Sequence, residues 1–116
     1  YELVLITKGD LIDQERKVNL SNVGRWFKNI EIVSEKHSRT YKNIFSRFGR
    51  MDESVMIGNS IKSDAVPAVK AGAWGIHVPY PITWELEMAE PMNDHDRYFE
   101  AKNLSHAAEI IKSISD

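Results

Sequence analysis

Residues 54–73 read SVMIGNSIKSDAVPAVKAGA. The apolar run Val55–Ile57 stops at Gly58. Asn59 and Asp64 then stand five apart among serines, and a helical pattern follows. The run is a strand by its β-branched content and length, and it reads as buried. A carboxylate placed at the end of such a strand is costly unless it meets a partner such as a metal or a cation. The helix predicted over SDAVPAVKAGA has Pro67 in its first turn, where the missing N–H costs little, and Ala71-Gly72 at its end. Strand, polar turn, helix: this unit sets the pattern for the rest of the chain.

Outward from it, the same alternation repeats. ELVLIT (2–7) is a continuous apolar run that suits a strand buried on both faces. Asp10 is placed to cap a helix from Leu11, with Leu11, Gln14/Glu15 and Val18 on one face. NIEIVSE (29–35) is a second strand. SRTYKNIFSRFG (38–49) is an amphipathic helix with Tyr41, Ile44, Phe45 and Phe48 on its apolar side and Gly49 closing it. GIHVPY (75–80) is a fourth strand, RYFEA a short fifth one, and SHAAEIIKSI the last helix, capped by Asn103 or Ser105. Strands alternating with helices through short connections predict an α/β fold, a Rossmann-like parallel sheet with helices on both faces.

With 116 residues the chain is one domain at most. Its 42% apolar and 28% charged residues are ordinary for a globular protein, and its net charge of −2 offers nothing to nucleic acid or an anionic membrane. There is no cysteine, which excludes disulfides and thiolate metal sites. No signal-peptide pattern occurs, and no apolar stretch approaches the ~20 residues of a membrane span, so a cytoplasmic location is expected. The chain opens at YELVLIT in full strand register without an initiator Met, which suggests a fragment of something longer.

In parallel sheets ligands bind at the carboxyl ends of the strands. Those ends carry Thr7-Lys8-Gly9-Asp10, Glu35-Lys36, Asn59-Ser60 through Asp64, and Pro79-Tyr80. One hydroxyl, one ammonium and one carboxylate on a rim suit a phosphate and a divalent cation. The hydroxyl and backbone N–H groups bind phosphoryl oxygens, Lys neutralises their charge, and a hard cation takes oxygen ligands. Taken singly, each residue has a plainer reading. Thr7 ends a strand as a turn former, Lys36 sits in a solvated loop, and Asp64 caps the helix after it. Order and spacing together carry the signal.

LVLITKGD, IVSEKHSRTYKNIF and VMIGNSIKSDAVPAVKAGAWGIHVPY resemble the second, third and fourth motifs of the haloacid dehalogenase superfamily of hydrolases, most of them phosphatases. The resemblance covers residues 2 to 80. It implies that Thr7 is the phosphate-binding hydroxyl, with Lys8 and Gly9 beside it, and that Lys36 is the lysine holding the phosphoryl group and the nucleophile. It places Asn59 and Asp64 on the two acidic positions that hold Mg²⁺, directly or through water. The implied activity is hydrolysis of a small phosphorylated metabolite through an aspartyl-phosphate.

Two departures from the family pattern stand out. The fourth motif usually begins Gly-Asp and here begins Gly58-Asn59; an amide oxygen carries no charge, so Mg²⁺ is expected to bind more weakly. A metal-free dehalogenase of the same fold is therefore an alternative, and a catalytically silent α/β module, regulatory or interacting, is another. The second departure is the absence of the family's first motif, an Asp-x-Asp after an N-terminal strand whose first Asp is the nucleophile. Asp94-His95-Asp96 has the letters but follows Pro91-Met92-Asn93, and reads as loop. In the family's sheet the nucleophile strand lies between the strands corresponding to 2–7 and 54–59, so those two should lack a shared partner. The expectation is a C-terminal portion of the core domain, inactive alone. The half bearing the nucleophile and any cap domain would be absent, and that half, or a second copy of the chain, would be its partner.

The remaining polar residues carry less. His37, His77, His95 and His106 lack ligand spacing, and His77, alternating with Ile76 and Val78, reads as a satisfied structural histidine. Trp84, Glu85 and Glu87 follow the fourth strand near the same rim, where core and surface roles suit them best.

Overall fold

The computed structural model describes residues 2–21, 27, 29–79 and 95–115. The chain divides into two compact units, Tyr1–Lys36 and His37–Asp116. In the first, β1 (Val4–Lys8) pairs in parallel with β2 (Asn29–Val33), Val4 opposite Asn29 and Lys8 opposite Val33, with helix α1 (Leu11–Ser21) as the crossover. Asp10 caps α1 as its sequence position predicts, its Oδ2 accepting from the Asp13 N–H at 3.1 Å. The apolar face expected of α1 rests on Leu11, Glu15 and Val18, whose side chains lie outside the described residues.

The second unit is a three-stranded parallel sheet in the order β3 (Val55–Gly58), β4 (Trp74–His77), β5 (Tyr98–Glu100). The register sets Gly58 opposite His77 and His77 opposite Glu100, which aligns the carboxyl ends of all three strands. Alternation along β4 sends neighbouring residues to opposite faces. On one face, Gly75 and Tyr98 lie against Ala65 and Val69 of the segment leading into and through α3 (Val66–Lys70). On the other, Ile76 packs with Ala101, and with Ala107, Ile110 and Ile111 of α4 (Leu104–Ser115). Helices therefore cover both faces of this sheet, as the α/β reading requires. Helix α2 (Ser38–Phe48) packs on α3 and buries Tyr41, Ile44 and Phe45, three of the four residues its periodicity selects; Phe48 is half-buried. Gly49 closes α2 by donating to the Phe45 carbonyl, in an extended rather than left-handed conformation. Asn103 caps α4 through the His106 N–H at 2.8 Å.

Two expectations change. Strand 2–7 is not buried on both faces: Ile6 alone reaches the core and its neighbours in β1 are half-exposed or exposed, while β3 is half-buried throughout. The reason is pairing. Among the described residues β1 pairs only with β2 and β3 only with β4, so each borders its sheet. The helix predicted over 63–73 also begins differently. A wide turn, Ile61–Ala65, precedes α3, with the Ala65 N–H reaching the Ser60 carbonyl and the Val66 N–H reaching the Ile61 carbonyl, both i→i+5 bonds.

Candidate functional site

The rim residues of the first unit sit where β1 and β2 end side by side. Thr7 is half-buried one residue before the end of β1, Lys8 ends the strand, and Lys36, half-buried, follows β2 by three residues. The Lys8 ammonium and the Glu35 carboxylate, both largely exposed, approach to 4.0 Å, a screened pair worth little stability. Gly9 turns the chain at φ +150°, a conformation open to glycine, and its N–H donates to the Val33 carbonyl at 3.1 Å. That N–H is therefore committed to the sheet. Gln14 closes the same turn, its side-chain amide donating to the Lys8 carbonyl at 2.6 Å and lying over the Gly9 Cα. Sequence reasoning missed Gln14, placing it only on a helix face.

In the second unit, Asn59 and Asp64 flank the carboxyl end of β3. The Asn59 side chain region is exposed, whereas Asp64 is 3% exposed. The wide turn carries Asp64 back over the strand end, so that its carboxylate lies on the bare Cα of Gly58. A Cβ added there would stand 2.2 Å from Asp64 Oδ2. Oδ2 accepts from the Ser60 N–H at 3.2 Å, while Ser60 Oγ accepts from the Ser63 N–H at 3.0 Å. The two bonds form a widened version of the reciprocal cap that starts many helices. So Asp64 does not cap the following helix as the plainer reading had it; Ser60 does, and Asp64 reaches back to the cap's own N–H.

Asp64 Oδ1 meets the Tyr41 hydroxyl at 3.2 Å. The same hydroxyl lies 2.6 Å from the Ser63 carbonyl, its one proton serving both acceptors. Tyr41 is fully buried. Burial first, then the Asp64 charge and its hydrogen bond, raise the hydroxyl's pKa far above the usual tyrosine range. Periodicity identified Tyr41 as core. Its bond to Asp64 spans 23 residues and has no local sequence signal.

A second, half-buried network crosses the rim. His77 Nδ1 lies 2.8 Å from Glu100 Oε2 and its Nε2 lies 3.3 Å from the Asn59 carbonyl oxygen, so the ring links the ends of β3, β4 and β5. The Tyr98 hydroxyl donates to the other Glu100 oxygen. Burial, then that bond and the Glu100 charge, raise its pKa strongly. His77 is thus a satisfied structural histidine, as its alternation implies. Trp84, Glu85, Glu87 and Asp94 lie outside the described residues, while His95 and Asp96 sit in the turn leading to β5.

Asn59 and Asp64 suit a hard cation in kind, since both offer oxygen. No group of three or more His, Asp or Glu side chains that could enclose a metal occurs among the described residues. One carboxylate and one amide are by themselves too few ligands to hold tightly an ion that dehydrates as reluctantly as Mg²⁺.

No protein-family model matches the chain, and no curated protein matches it. Among solved structures it is similar to a haloacid dehalogenase-like family hydrolase from Xanthomonas campestris. The two are 38% identical with a TM-score of 0.83, over 97% of this chain and 47% of that one. It is also similar to the HAD-like protein YfnB from Bacillus subtilis, solved bound to magnesium. There the identity is 17% and the TM-score 0.73, over 96% and 49% of the two chains, a likeness of fold. The chain spans about half the length of these solved proteins. The motifs at Thr7, Lys36 and Gly58–Asp64, the parallel α/β architecture and the Xanthomonas likeness agree: the chain belongs to the haloacid dehalogenase superfamily of hydrolases.

Proposed function

We propose that this chain is the C-terminal part of the core of a Mg²⁺-dependent phosphohydrolase acting on a small phosphorylated metabolite. Its covalent nucleophile would come from outside these 116 residues, which hold no Asp-x-Asp behind an apolar strand. In this reading the Thr7 hydroxyl donates to a phosphoryl oxygen, and the Lys36 ammonium neutralises charge as it develops there. Lys8 adds positive charge at the same strand end. Gly9, with its N–H bonded to Val33, contributes the turn rather than a donor. Asn59 and Asp64 would hold Mg²⁺, which when bound polarises the phosphoryl group.

The observation that carries the reading is Asp64. A carboxylate 3% exposed sits at the carboxyl end of β3, seated on a glycine that leaves room for it and held by two donors. An apolar residue there would spare the desolvation cost, so the charge answers to something besides packing.

Phosphate release from a generic aryl phosphate by the intact protein, with and without Mg²⁺, tests it. Turnover should require Mg²⁺, and Lys36→Ala should lower kcat by at least roughly 10²-fold with the fold retained. Turnover indifferent to chelator would favour the metal-free dehalogenase, which the uncharged Asn59 keeps as the second reading. A folded intact protein without hydrolase activity on either substrate class would leave the silent module.

A further inference from the structure

The geometry points to Tyr41 as a positioning residue for the Asp64 carboxylate, one that sets the strength of cation binding. The inference rests on the phosphohydrolase reading above. A carboxylate can turn about its Cβ–Cγ bond, and two directional donors at different oxygens stop that rotation. Here Ser60 N–H holds Oδ2 and the Tyr41 hydroxyl faces Oδ1, while Gly58 Cα backs the group. The hydroxyl is itself fixed, because its one proton is shared between Asp64 Oδ1 and the Ser63 carbonyl 2.6 Å away, and the ring lies beside Phe45 at a centroid distance of 5.9 Å. A phenylalanine would fill the same apolar volume without burying a hydroxyl, so packing alone does not call for tyrosine.

Tyr41 also joins two parts of the sequence. It lies five residues after Lys36, on the helix that opens at Ser38, and it bonds across 23 residues to Asp64. Helix α2 is thereby anchored on the carboxylate that the reading assigns to the cation, and it starts two residues beyond the lysine assigned to the phosphate. Partners one step removed from a metal ligand hold its orientation, and losing one typically weakens metal affinity roughly 10- to 100-fold.

The test is Tyr41→Phe in the intact protein, with Mg²⁺ binding measured by calorimetry and the half-saturating Mg²⁺ concentration measured in the phosphatase assay. The variant should fold and bind Mg²⁺ roughly 10-fold more weakly, with kcat at saturating Mg²⁺ changed far less. Ile44→Val, on the same buried face of α2, is the control. It should lower the melting temperature while leaving Mg²⁺ affinity as in the wild type. Wild-type affinity in folded Tyr41→Phe overturns the inference, and so does an equal loss in Ile44→Val, since either makes Tyr41 merely structural. A wild-type protein that neither binds nor needs Mg²⁺ overturns the phosphohydrolase reading itself, and this inference with it.

Discussion

At the scale of single residues, Gly58 has little latitude. Any side chain there collides with Asp64 Oδ2, and the carboxylate has no free space to retreat into because it is buried and held from two sides. Gly58→Ala should therefore destabilise the chain by about 1–3 kcal/mol, read from chemical denaturation midpoints, as forced overpacking does elsewhere. An unchanged midpoint would mean the carboxylate swings aside at no cost. Tyr41 and Tyr98 give a second prediction, on pH. Both hydroxyls hold their protons well above pH 10 in the folded chain, where an unfolded tyrosine ionises. Their contribution to stability is whole below about pH 10 and is lost as pH rises beyond it, because the unfolded state ionises first. Denaturation midpoints should fall steadily from pH 9.5 upward, and Tyr41→Phe should flatten the fall. An equal slope in the variant would place the alkaline sensitivity elsewhere.

Among elements, what the sequence made readable was whatever depends on neighbours along the chain. The periodicity of 38–48, the caps Asp10 and Asn103, and the strand runs all appear close to where the pattern sets them. The wide turn at 61–65 did not show, since i→i+5 and i→i+4 bonding use the same residue types. Nor did the burial of β1 and β3, because a strand's exposure depends on which strand lies next to it, and that is a matter of pairing. Of the candidate site, the residue types and their order were legible through the resemblance. The Tyr41 and Gln14 contacts were not, for each depends on tertiary approach. The His77–Glu100–Tyr98 network belongs to this scale too, tying three strands at one end. His77→Leu keeps the volume but leaves the Glu100 carboxylate and the Asn59 carbonyl short of a partner. It should cost about 0.5–1.5 kcal/mol in urea denaturation, since water reaches the exposed Glu100 carboxylate. A shift below about 0.5 kcal/mol would show the network contributes little beyond packing.

For the whole molecule, the two parallel sheets and their bordering strands set the expectation. Val4, Leu5 and Ile6 in β1 and Val55, Met56 and Ile57 in β3 are apolar, yet each strand pairs on one side alone among the described residues. Half-buried apolar strands with an unused edge recruit further strands. Purified residues 1–116 should accordingly self-associate at micromolar concentration and show no phosphatase turnover, because the proposed mechanism would draw its nucleophile from a separate segment. Light scattering that finds a monomer at all concentrations, or turnover that survives further purification, would contradict this. No helix among the described residues is long and apolar enough to cross a membrane.

The wide turn between Ser60 and Val66 has a consequence for how this chain can change length over evolution. A helix grown at the ordinary pitch needs one residue fewer to travel the same arc. Loss of a residue from Ile61–Ser63 would leave two outcomes. Asp64 would swing by roughly 100° off Gly58, or α3 would slide about 1.5 Å along its axis against β4. Packing on the sheet opposes the second outcome, and seating of the carboxylate opposes the first. Insertions and deletions in descendants of this sequence should therefore spare residues 58–66.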